Sequence, residues 1–151
     1  MKLSRKPVEI LSALQEYAVK IIPFEESDIF LFDQNTGKIS SISKSAGQKL
    51  KQEISGFLEE GIIDWVIEEK RAVVIEDFET IGGESREGQE RNFVLVPLIF
   101  RGKEHAIFAL YTSKPKHEFT NQDLELLTLL ADKEATAIEN YRINRRLREI
   151  K

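Results

Sequence analysis

Few side chains in this 151-residue chain have the type and spacing that bond-making chemistry needs. The two histidines, His105 and His117, have no cysteine or further histidine near them in sequence to complete a metal set. Cysteine is absent altogether, which removes disulfides, thiolate nucleophiles, zinc-thiolate and iron-sulfur sites and thioether attachment of a chromophore, and points to a reducing cytoplasm. Gly82-Gly83-Glu84-Ser85 has the glycines of a phosphate loop, but no Gly-Lys-Ser/Thr follows. Carboxylates are abundant, yet charged helix faces account for them and no pair can be placed in a common cleft from spacing. Binding chemistry is what remains. Asp77 closes an expected strand, where it can accept a hydrogen bond from a ligand or cap the next turn. Trp65 can stack on a planar ligand or pack as core beside Ile62, Ile63, Val66 and Ile67. Arg91, just before Phe93, can hold a phosphate or carboxylate or simply stand in solvent. The chain reads as a non-enzyme, with no catalytic residue, no metal and no cofactor called for.

The elements that must position these residues fit one domain spanning 1–151, a length that buries roughly 70% of the surface of the unfolded chain. Val8, Leu11, Leu14, Ala18 and Ile21 recur at helical spacing, with Ile10 and Tyr17 on a neighbouring strip, which predicts a helix over about 6–20 that Pro23 ends. Residues 27–33 are apolar on both faces, as in a covered central strand. Gly37 suits the turn that follows, and the serine-rich stretch 38–44 is a weak edge strand with few core contacts. A short helix over 61–70, a β-branched strand over 72–75, a Gly-rich polar loop over 80–90 and two covered strands over 93–100 and 106–111 complete the middle of the chain. Arg101-Gly102 is the tight turn between the last two strands.

The last helix begins with a capping box in which Thr120 and Asp123 exchange bonds, stapled by Phe119 and Leu124. Leu127, Ala131, Ala135 and Ile138 form a stripe for the sheet. A second stripe, Leu129, Thr136, Asn140, Ile143, Leu147 and Ile150, is offset from it, and from Asn140 onward its 3-4-3 spacing suits a coiled-coil seam over 140–151. That tail carries five basic residues against Glu149, a net of +4 in a chain of −4, so the remainder totals −8. No aromatic interleaving or base-reading motif accompanies the charge, so the tail reads as a solvated helix end and not as a nucleic-acid contact. The basic N-terminus lacks the apolar run of a signal peptide or membrane span, and no membrane partner is expected.

In order and local pattern the elements resemble the GAF domain, a small-molecule sensor and dimerisation module. The resemblance is carried by Gly61 through Val66, Val73 through Asp77, Val96-Pro97-Leu98, Gly102 leading into Ala106 through Leu110, and finally Phe119 through Leu124 and Ala135 through Asn140. It implies an α+β fold: a central antiparallel β-sheet with the N- and C-terminal helices packed on one face and loops and short helices on the other. The cyclic-nucleotide-binding relatives carry an Asn-Lys pair after the last strand and a Phe and Asp-Glu pair opening the last helix. Here Phe119 and Asp123 match, whereas Thr112-Ser113-Lys114 replaces Asn-Lys and Leu124 replaces the second acid. Lys114 and Asp123 can still form a local ion pair.

By this resemblance the chain is a regulatory sensor that binds an unidentified small ligand and signals through its terminal helices, as a homodimer, to a linked output domain. The implied pocket residues are Ile62, Ile63, Trp65, Asp77, Phe78, Arg91 and Phe93, with Asp77 and Arg91 as polar anchors. The rival expectation is a ligand-free dimerisation module whose pocket is filled by its own aromatics.

Overall fold

The computed structural model describes residues 7–32, 38–43, 48–76, 91–99 and 105–150, with side chains described for all of these except 7, 48, 49 and 141–150. In chain order the elements are α1 (Pro7–Ile21), β1 (Glu26–Phe32), β2 (Ile39–Ser41), α2 (Gln48–Glu59), α3 (Ile62–Glu69), β3 (Val73–Glu76), β4 (Asn92–Leu98), β5 (His105–Thr112), a 3-10 turn (Lys116–Glu118) and α4 (Asn121–Ile150). The strands make a five-stranded sheet in the order β2-β1-β5-β4-β3, and every neighbouring pair runs antiparallel. The expected α+β fold is therefore present. The turns expected at 35–38 and 101–102, the loop over 80–90, and the side chains of the basic tail lie outside the described residues.

Both faces of the sheet are covered because both faces of its central strands are apolar. Val94, Val96 and Leu98 of β4 meet Leu127, Ala131, Ala135 and Ile138 of α4 on one side, while Phe93 and Leu95 meet the opposite layer. Every residue of β4 is buried. Pro97 is tolerated because β3 pairs β4 only from Asn92 to Leu95, so the proline stands where β4 extends past its edge neighbour.

α1 shares the helix face with α4, but its buried stripe differs from the expected one. Ile10, Leu14, Ala18 and Ile22 form a row at spacings of four and are fully buried, with Leu11 beside them, whereas Val8 is 56% exposed and Ile21 half-buried. The helix is rotated toward the i±4 ridge because Ile22, just past its end, also packs inward. Gln15 ties it to the sheet by donating to Ser27 Oγ at 2.8 Å.

The far face carries α2 and α3. No element is expected from the sequence over residues 48–59, yet Leu50, Ile54 and Phe57 fall on one side of α2 and share a buried cluster with Ile63 and Val66 of α3. The chain turns between these helices at Gly61, whose φ of 81° is a left-handed conformation that glycine adopts without a Cβ penalty. Within α3, Ile63 and Val66 are inward and Trp65 is 48% exposed, which corrects the core reading of the tryptophan.

α4 starts as expected. The Asp123 amide donates to Thr120 Oγ1 at 3.0 Å and the Thr120 amide to Asp123 Oδ2 at 3.2 Å, while Phe119 and Leu124 both pack on the helix-side core. Thr120→Ala is expected to cost about 1 kcal/mol in urea unfolding. A loss below about 0.3 kcal/mol would mean that the box adds nothing to the packing that already holds the helix.

Candidate functional site

The far face of the sheet, where the implied pocket falls, is built from aromatic rings. Phe57 meets Phe93 edge to face at 5.4 Å between centroids, and Phe93 lies 4.8 Å from the Tyr111 ring at a tilt of 34°. Ile63 and Phe93 belong to this one buried cluster, with Ile62 half-buried against it. Arg91 and Trp65 stand apart from this cluster. Arg91 Nε lies 3.3 Å from Glu25 Oε1, Trp65 is on the outer side of α3, and Asp77 and Phe78 lie outside the described residues.

Two polar residues on this face have buried side-chain atoms. Asp28, inside an apolar strand, is fully buried. Its Oδ1 accepts from the Ile29 amide at 2.7 Å and the Ser43 amide at 3.3 Å, and its Oδ2 accepts from the Ser43 hydroxyl at 2.7 Å and from the Ser41 hydroxyl. The serine-rich edge strand thus has a buried polar partner, contrary to the expectation of few core contacts there. His105, at the start of β5, has a buried Nδ1 with no hydrogen-bond partner among the described residues. Burial lowers its pKa below the ordinary histidine value, and the Asp64 carboxylate opposes this in part, so the neutral ring is favoured.

On the helix face a polar knot joins three connections. Thr112 Oγ1 donates to Pro23 O at 2.6 Å and accepts from the Lys114 amide at 3.0 Å, while Asn92 Nδ2 donates to Lys114 O at 2.7 Å. Lys114 Nζ sits 3.4 Å from Asp123 Oδ2 and 5.2 Å from the centre of the Phe119 ring, so the expected local ion pair forms. The Thr120 amide, and then Lys114, hold the Asp123 carboxyl below its ordinary pKa.

Beside this knot, a cavity of about 550 Å³ opens between edge strand β3 and the first turns of α4, with Ala72, Val74, Phe119 and Leu124 among its walls. Thr128, also in its lining, accepts from the Ala72 amide at 2.8 Å and donates to Leu124 O at 2.8 Å. On the outer side of α4, Leu126 and Leu129 are 44% and 58% exposed, and Thr136 and Asn140 are exposed as well.

The model of the GAF domain family matches residues 4–139. The chain belongs to the GAF family. Solved structures show the same fold at low sequence identity. A GAF domain from Synechocystis sp. PCC6803, in its photoproduct state, is 14% identical with a TM-score of 0.62, over 93% of this chain and 98% of that one. The GAF domain/HD domain protein of Geobacter sulfurreducens is 11% identical with a TM-score of 0.58, over 89% and 93%. The GAF domain of a phosphoenolpyruvate-protein phosphotransferase from Coxiella burnetii is 14% identical with a TM-score of 0.54, over 93% and 97%. Comparison with curated proteins finds no match. Membership of this family places the GAF domain described here among sensory and regulatory modules.

Proposed function

We propose that this GAF domain is a cytoplasmic sensor that takes a small ligand on the far face of its sheet and works as a homodimer through α4. The observation that carries the reading is the two-sided apolar character of α4. Leu127, Ala131, Ala135 and Ile138 are buried on its own sheet, while Leu126, Leu129, Thr136 and Asn140 stay exposed. Extended by sequence, the exposed stripe gives a heptad with Leu126, Lys133, Asn140 and Leu147 at a, and Leu129, Thr136, Ile143 and Ile150 at d. Polar residues at a lower the stability of such a seam and specify its register. The GAF modules of the Geobacter and Coxiella proteins occur beside other functional units, which supports a linked output domain. A ligand shifts the helices only if its affinity differs between two helix arrangements. Among the described residues no helix is long and apolar enough to cross a membrane, and this with the lack of cysteine supports the location.

The ring trio Phe57, Phe93 and Tyr111 favours the second reading, a ligand-free dimerisation module with its far face filled. One set of measurements separates the two. Light scattering is expected to give a dimer mass that falls for Leu129→Asp and Leu147→Asp; an unchanged mass would rule out the seam. Thermal-shift screening with cyclic nucleotides, purines and amino acids is expected to find a stabilising class, since ligand at 100 times its Kd adds about 2.7 kcal/mol. No shift from any class, with the dimer intact, would leave the ligand-free module.

A further inference from the structure

We infer that the cavity between β3 and the start of α4 is a binding site for a small amphipathic carboxylate, separate from the far-face pocket. Its volume, about 550 Å³, lies within the range of small-molecule sites. Its position follows from the topology: β3 is the last strand of the sheet, so the cavity is bounded on one side by a sheet edge and on the other by a helix.

The walls divide by chemistry. Ala72, Val74, Phe119 and Leu124 supply an apolar surface against which a hydrocarbon body loses contact with water. The lining carries two cations, Arg71 and Lys116, and the carboxylate of Glu125, and each cation already has an acidic partner beside it. Lys116 is engaged with Glu76 at 3.7 Å, whereas Arg71 is 70% exposed and reaches Glu69 only at 3.9 Å. A guanidinium held this loosely can turn its planar fork onto an incoming carboxylate and bind it through two parallel bonds. Asn121, the first residue of α4, also lines the cavity, and its side-chain amide can donate to the same carboxylate.

Occupancy would act directly on α4. The Ala72–Thr128 hydrogen bond joins the sheet edge to the second turn of the helix within the lining, so a ligand here touches both partners of that joint. A ligand on the far face would instead have to act through the sheet.

Octanoate is the probe, followed by amide chemical shifts in labelled protein. Saturable shifts centred on Ala72, Val74, Leu124 and Thr128 are expected. Arg71→Glu should raise the Kd of octanoate about tenfold or more, the scale of one lost charge-assisted contact. Asn121→Trp should abolish binding by filling the mouth. Both variants change exposed positions, so the unliganded spectrum should stay native. Absence of saturable shifts, an unaltered Kd in Arg71→Glu, or shifts centred on Ile63 and Phe93 would each overturn the site. Equal binding of 1-octanol would overturn the carboxylate class. Because the far-face residues are read in the same spectra, failure here is distinguishable from failure of the sensor reading.

Discussion

Asp28→Ala is expected to destabilise the domain by about 2–4 kcal/mol and to release β2 from the sheet. The carboxyl group is fully buried and accepts four hydrogen bonds, two from the serine hydroxyls of residues 41 and 43 and two from backbone amides. Removing it deletes the acceptor for all four, and a buried donor left without a partner costs about 1–3 kcal/mol. Ser41 and Ser43 are only half-buried and can recover water, which keeps the total well below the sum of four such penalties. Against a typical domain stability of about 5–15 kcal/mol the loss is large. Urea unfolding gives the magnitude, and hydrogen exchange at the Ile42 amide, bonded to Ile29 O at 2.9 Å, reports whether β2 detaches first. A loss under about 1 kcal/mol would mean that the serine-rich strand is held by its backbone ladder alone.

Phe93→Ala is expected to cost about 3–5 kcal/mol, the range for deleting a fully buried aromatic. The ring is 1% exposed and stands between Phe57 and Tyr111, so its removal forfeits two ring contacts as well as apolar burial and leaves a void between α2 and the sheet. Trp65→Ala, on the outer side of α3, serves as the control and should lie within about 0.5 kcal/mol of the native chain. The same variant bears on function. If the far face is filled by its own rings, Phe93→Ala should bind indole saturably and the native chain should not. Indole binding by the native chain would show instead that the rings part to admit a ligand, as the sensor reading requires. Unchanged stability in Phe93→Ala would deny the ring trio any part in closing that face.

Much of the scaffold follows from local pattern. The covered strands β1, β4 and β5 are legible as apolar runs, because a strand buried on both faces has no polar alternation. The start of α4 is legible because a capping box is settled within four residues, and its inner stripe because Leu127, Ala131, Ala135 and Ile138 recur at helical spacing. α2 is only faintly legible, because Leu50, Ile54, Phe57 and Leu58 are its only large apolar residues in a polar stretch.

What tertiary structure decided involves residues distant in sequence or faces of nearly equal hydrophobicity. α1 has apolar residues around much of its circumference, and the surface it meets selected the row from Ile10 to Ile22 over one beginning at Val8. α3 buried Ile63 and Val66 and left Trp65 outside for the same reason. Asp28 looks like a stray charge in an apolar strand until β2 brings Ser41 and Ser43 alongside, 13 and 15 residues away. The cavity at β3 depends on a meeting of Ala72 and Thr128 across 56 residues, and no local spacing encodes it. The family, the covered strands and the inner stripe of the last helix are legible from short-range pattern alone. Only the fold decided which polar groups are buried together and where space is left, because both depend on how surfaces far apart in the chain fit against one another.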